Sequence, residues 1–191
     1  MLQIDFKELW KTVIANKNRM DSKDPSQIDF KKLWKTVIAN KNRISKIHGP
    51  RHWARVERNG LYLCQLNGAD ETVVRLFALF HDSMRENDGR DIEHGLRAAE
   101  YAHSLLGQEY QLTTVRFNLL YYASQYHAKQ RTTEDKTIGT CWDADRLDIG
   151  RVFMKPSIYY MNSLEAKQII EKSEWKSLYK AEKRVTLKYL L

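Results

Sequence analysis

At 191 residues the chain suits one domain, or one domain with an appendage, and is long enough to bury a hydrophobic core. Only eight Gly and three Pro interrupt it, which favours long helices over a turn-rich β fold, and no uninterrupted apolar run approaches the roughly 20 residues of a membrane span. The net charge of +8 gathers at the ends: residues 1–47 hold 11 Lys and Arg against 5 Asp and Glu, residues 163–191 hold 7 against 4, and the centre holds 14 against 15. Lys-rich ends of this kind are more often solubilising surface than a phosphate-binding face, so no nucleic-acid partner is expected. Asp5, Lys7 and Glu8 lie among the apolar residues of the amino terminus, where a signal peptide would carry an apolar block, and a cytoplasmic protein is expected. Cys64 and Cys141 stand far apart and outside any C-x-x-C pattern, which predicts reduced, packed thiols.

Taken in order, the chain begins with a duplication. Residues 3–20 recur at 27–44, and across eighteen positions only Glu8/Lys32 and Met20/Ile44 differ. Phe6, Leu9, Trp10, Val13 and Ile14, like Phe30, Leu33, Trp34, Val37 and Ile38, fall at the spacing of a single apolar helical stripe. Pro25 interrupts the join, and the 24-residue offset would turn the second stripe about 120° from the first even in a continuous helix. The expectation is an extra copy with its linker over 1–26, a helical domain over 27–191, and possible exchange of the extra helix between two copies of the chain.

Further helices are predicted over His52–Leu66, then Glu71–Met84 with Asp70 as N-cap, and Ile92–Leu106 with Asp91 as cap. One more opens at Thr113 or Thr114 and runs to His127, and another spans Thr137–Gly150 before Pro156 breaks the pattern. Two closing helices, Ser163–Ile170 and Trp175–Leu191, complete an all-α fold.

Within this pattern the run Leu76-Phe77-Ala78-Leu79-Phe80-His81-Asp82 ends in two adjacent potential ligands. Successive helical side chains diverge by about 100°, so the remaining ligands must come from other helices. His52, His127 and Asp143-Ala144-Asp145 lie near the ends of other predicted helices, and in an antiparallel bundle such ends can converge.

The ordered set His52, His81-Asp82 and Asp145 resembles the H…HD…D signature of the HD-domain metal-dependent phosphohydrolases. His48-Gly49-Pro50-Arg51-His52-Trp53-Ala54-Arg55-Val56 and Gly139 to Asp148 are similar to segments of small bacterial HD hydrolases of unassigned substrate, and the likeness spans about residues 44–160. It implies an HD-like helical bundle with His52, His81, Asp82 and Asp145 as metal ligands. Asp145 is preferred to Asp143 for its Ala144-Asp145-Arg146-Leu147 context, the alternative being that Asp143 or Asp148 serves as a cap or pairs with Arg146. A mixed nitrogen and carboxylate set suits Mn, Fe, Co, Ni or Mg. His94 and His127 resemble the ligands of a second metal in binuclear members, or would bind substrate phosphate; one ion is expected rather than two. His48, four residues before His52, would border the pocket.

The implied activity is hydrolysis of a phosphate monoester or diester, a nucleotide among the candidates, with Asp82 orienting water and Glu86 as an acid or base. Arg55, Arg146 and Lys129 are the candidates for substrate phosphate. Related guanosine-polyphosphate hydrolases carry an acidic pair where this chain reads Arg85-Glu86, which argues against that substrate. Trp142 with Tyr121, Tyr122 and Tyr126 would offer a base-stacking wall, although aromatics at such spacing are more often core. The competing readings are a regulatory module that binds metal or nucleotide without turnover, and an HD-type nuclease.

Overall fold

The structure is a computed structural model that describes residues 28–40 and 45–176. The first copy of the duplicated segment, and all but the first two residues of the closing helix expected over 175–191, lie outside the described residues. The described chain forms α1 (Phe30–Ala39), α2 (Pro50–Asn67), α3 (Glu71–Phe80), α4 (His94–Leu105), α5 (Thr114–Tyr126), α6 (Lys136–Leu147) and α7 (Leu164–Glu171). Two 3-10 turns, Asp148–Val152 and Ile158–Tyr160, separate α6 from α7. Among the described residues there is no strand, only an isolated bridge between Leu106 and Tyr110. None of the described helices is long and apolar enough to cross a membrane.

α3 is the axis of the molecule. Leu76, Phe77, Ala78, Leu79 and Phe80 are apolar in succession, so no face of this turn of helix can be left to solvent, and all five are fully buried. α2, α4, α5 and α6 each pack against it, and α1 lies on it too. α1 contributes Leu33, Trp34 and Val37 from the second copy of the duplicated stripe, with Trp34 set against Trp53 at 6.0 Å between ring centres. Lys32 pairs with Glu109 at 2.8 Å; the first copy carries Glu8 at that position, so only the second offers a cation there. Two glycines permit close approaches. A Cβ at Gly60 would stand 2.3 Å from Val74 Cγ1 between α2 and α3, and one at Gly95 would stand 2.6 Å from the Ser124 carbonyl, between the start of α4 and the end of α5.

Several ends follow their capping residues. Asp70 accepts from the amides of Thr72 and Val73, Thr113 from that of Arg116, Asp135 from those of Thr137 and Ile138, and Ser163 from that of Ala166. Others depart from the expectation. α3 stops at Phe80 rather than Met84, because the His81 ring folds back onto the carbonyls of Phe77 and Ala78 at 3.2 and 3.1 Å and so occupies acceptors at the helix end. α4 begins at His94, not Ile92, because Asp91 does not cap it; that carboxylate accepts instead from Arg97 and from the Glu86 amide. α2 begins at Pro50, which leaves His48 in the preceding turn rather than on the helix. Trp142 and Tyr121, offered as part of a stacking wall, are core; the Trp142 indole donates to the Ala123 carbonyl. Both cysteines are free and buried, and burial pushes the Cys64 thiol up to about 12.

Candidate metal centre

The start of α2 and α4 and the end of α3 and α5 meet at one depth. Helix ends of opposite polarity therefore face the same spot, and their dipoles do not select the charge of a ligand. The side chains do. His52 stands in the first turn of α2, His81 caps α3 with Asp82 just beyond it, His94 opens α4, His127 caps α5, and Asp145 lies in the last turn of α6.

Around the first focus, His52 Nε2 is 3.1 Å from His81 Nε2, 3.2 Å from Asp145 Oδ1 and 3.5 Å from Asp82 Oδ2. His81 Nε2 is 3.6 Å from Asp82 Oδ2 and 3.8 Å from Asp145 Oδ1. Around the second, His94 Nε2 is 2.9 Å from His127 Nε2, and Asp82 Oδ1 is 3.4 and 3.9 Å from these nitrogens. Asp82 thus turns one oxygen to each focus. The structure gathers two buried groups able to hold a metal ion, His52, His81 and Asp82 in one and Asp82, His94 and His127 in the other.

The hydrogen bonds on the far side of each ring decide what these groups can accept. A backbone carbonyl only accepts, so Nδ1 must donate to the Phe77 and Ala78 carbonyls in His81, to the Ser124 carbonyl at 2.7 Å in His127, and to the Asp91 carbonyl in His94. His52 Nδ1 donates to Asp148 Oδ2 at 2.7 Å, and the same carboxylate takes Arg55 Nε at 2.7 Å. In neutral imidazoles so held, every Nε2 presents a lone pair. Pairs of lone pairs about 3 Å apart, backed by carboxylates, repel one another unless a proton or a cation lies between them, and a divalent cation fits that donor set.

The proton affinities bear this out. Burial pushes His81 down to about 3, and burial with the neighbouring His127 pushes His94 down to about 4. His52 moves the other way: burial and Arg151 oppose its protonation, but Asp145 and Asp148 outweigh them. Against the cost of burial, the surrounding imidazoles hold Asp82 and Asp145 well below the usual carboxylate range, and His52 with Arg55 lowers Asp148. Phe77 forms a floor beneath both foci, stacked on His81 at 4.9 Å and edge-on to His127 at 5.9 Å.

Other residues singled out in the sequence lie elsewhere or do other work. Asp143 accepts from the Asn162 amide and side chain and from the Ser163 amide and hydroxyl, at 2.7 to 2.9 Å, and so ties α6 to the start of α7. Arg146 donates through its two Nη atoms to the carbonyls of His127, Gln130, Arg131 and Tyr160, and Arg55 donates through Nε to Asp148. Lys129 pairs with Glu93 at 3.0 Å. The Glu86 side chain is 72% exposed and stands 3.6 Å from Arg97. His103 is exposed, with its ring against Phe117. His48 does reach the site from its turn, its Nδ1 lying 2.9 Å from Asp82 Oδ2.

Two contributors were missed in the sequence. Asp148 orients His52; it lies three residues after Asp145, a spacing that puts both on one helical face, and this signal was available. Arg85 reaches the second focus from the turn after α3, and nothing in its local sequence announces that. Comparison with protein-family models, curated proteins and solved structures finds no match to the chain.

Proposed function

We propose that the protein is a metal-dependent phosphohydrolase of the HD-domain kind, cleaving a phosphate monoester or diester. The observation that carries this reading is the pair of buried acceptor groups that share Asp82. His52, His81, Asp82 and Asp145 would hold one divalent ion, and Asp82, His94 and His127 a second, so the arrangement favours two ions where the sequence alone favoured one. Divalent ions bound there would polarise a phosphoryl oxygen and lower the pKa of water at the site.

The chain's own residues supply the rest. Asp82 fixes the spacing of the two foci and, with Asp145, turns carboxylate oxygens toward the reacting water. Asp148 and the carbonyls of Phe77, Ala78, Asp91 and Ser124 lock each imidazole in one orientation, which limits reorganisation when ligand arrives. His48, hydrogen-bonded to Asp82, would pass a proton to the leaving oxygen, with Glu86 as the alternative acid or base. Metal analysis followed by a phosphatase screen with Mn²⁺, Ni²⁺, Co²⁺ or Mg²⁺, beside His81→Ala and Asp82→Ala, tests the reading. Turnover lost in both variants is expected; turnover surviving in both would remove this site from the reaction, and metal held without any turnover would favour a binding module.

A further inference from the structure

The two foci differ in one respect that the donor sets do not explain. Arg85 brings a guanidinium nitrogen to the second: Nη1 lies 3.3 Å from His94 Nε2 and 3.4 Å from Asp82 Oδ1. Its other donors are spent on the turn that follows, Nη2 on the Gly89 carbonyl at 2.7 Å and Nε on the Asn87 carbonyl at 3.3 Å. The side chain is 12% exposed, so the charge sits within the pocket mouth rather than in bulk water. At the first focus the guanidinium contacts fall on residues behind and beside the ligands: Arg55 Nε is 2.7 Å and Arg151 Nη1 3.9 Å from Asp148, and Arg151 Nη2 is 3.5 Å from His48 Nδ1.

We infer that Arg85 is a resident cation for the second focus, displaced when a metal ion and a phosphate arrive together. The inference rests on the metal-centre reading. Two positive charges competing for His94 Nε2 and Asp82 Oδ1 cannot both be accommodated at contact distance, so Arg85 weakens the second ion relative to the first. A phosphate oxyanion offers Nη1 a better acceptor than a neutral imidazole, because a hydrogen bond between two ionised groups is the stronger. Nη1 then leaves the ligands while Nη2 and Nε keep Arg85 at the rim. Linkage follows: phosphate raises affinity for the second ion, and the second ion raises affinity for phosphate by the same factor.

The test is ion stoichiometry and affinity in the full chain, titrating Co²⁺ or Mn²⁺ with and without inorganic phosphate, for the wild type and Arg85→Gln. Wild type is expected to bind one ion tightly and a second weakly, with phosphate strengthening the second about tenfold, a size typical of such couplings. Arg85→Gln is expected to bind the second ion about tenfold or more tightly without phosphate and to lose most of the phosphate effect. Arg85→Lys keeps the charge without the rim contacts to the Asn87 and Gly89 carbonyls, and should keep a weak second ion while losing phosphate coupling; it also serves if the Gln variant does not fold. A second ion held equally or less tightly in a folded Arg85→Gln chain, or phosphate coupling unchanged in Arg85→Lys, overturns the inference while the first ion stays bound. A wild type that binds no ion at all fails differently, overturning the metal-centre reading and this inference with it.

Discussion

The two halves of the metal centre share Asp82 yet are built differently. At the first, His52 is oriented by a buried carboxylate, Asp148, which is itself held by Arg55. At the second, both imidazoles are oriented by backbone carbonyls, and the Arg85 guanidinium lies against His94. A carboxylate behind an imidazole raises its basicity more than a carbonyl does, and a neighbouring cation lowers affinity for another. On the reading proposed above, the first half is a standing site for an ion and the second a conditional one.

Substitutions can break that contrast, the largest effect coming from the shared residue. Asp82→Ala removes a ligand from both halves, and phosphatase activity in a metal-supplemented assay should fall by about three orders of magnitude or more, consistent with losing several kcal/mol of charge stabilisation. Asp148→Asn keeps the size of the side chain and loses its charge; affinity for the first ion, read by calorimetric titration, should drop about 10- to 100-fold while the second ion changes little. His127→Ala should reduce the stoichiometry from two ions to one in the presence of phosphate, measured by elemental analysis.

A smaller effect comes from pH. His52 must give up its proton to receive an ion, and its proton is held more tightly than that of an ordinary histidine. Metal affinity should therefore decline as pH falls through a value above the ordinary 6.5, whereas His81 and His94, pushed down to about 3 and about 4, should contribute no further decline until far lower pH. Smallest of all, removal of residues 1–24 leaves one copy of the duplicated helix contiguous with the body, and the melting temperature and metal content should be unchanged. Loss of soluble protein on that deletion would show that the first copy takes part in packing.

Much of this contrast was hidden in the sequence for identifiable reasons. The helix starts at Asp70, Thr113 and Ser163 were legible because each of these caps acts within three residues, whereas Asp135, which caps α6, lies in a stretch that reads as a polar loop. The ends of α3 and the start of α4 were not, because His81 and Asp91 are engaged in contacts that the hydrophobic pattern does not encode. His52, His81, Asp82 and Asp145 were selected for their order along the chain, and the fold brings them together. Arg55 and Arg146 drew attention as cations in the same segments, but only tertiary structure shows the Nε of Arg55 on Asp148 and the Nη atoms of Arg146 on backbone carbonyls. Arg85 lay in plain view beside Glu86, and its place against His94 depends on a turn whose path no periodicity describes.

The central claim is that two acceptor groups sharing Asp82 form a metal centre. Elemental analysis of purified wild type beside His81→Ala and His94→Ala, after saturation with Mn²⁺ and phosphate and removal of loose ions, tests it directly. The account predicts two ions per chain in the wild type, loss of the first in His81→Ala, and retention of one in His94→Ala. A wild type without bound metal, or variants that retain its full complement, would contradict it.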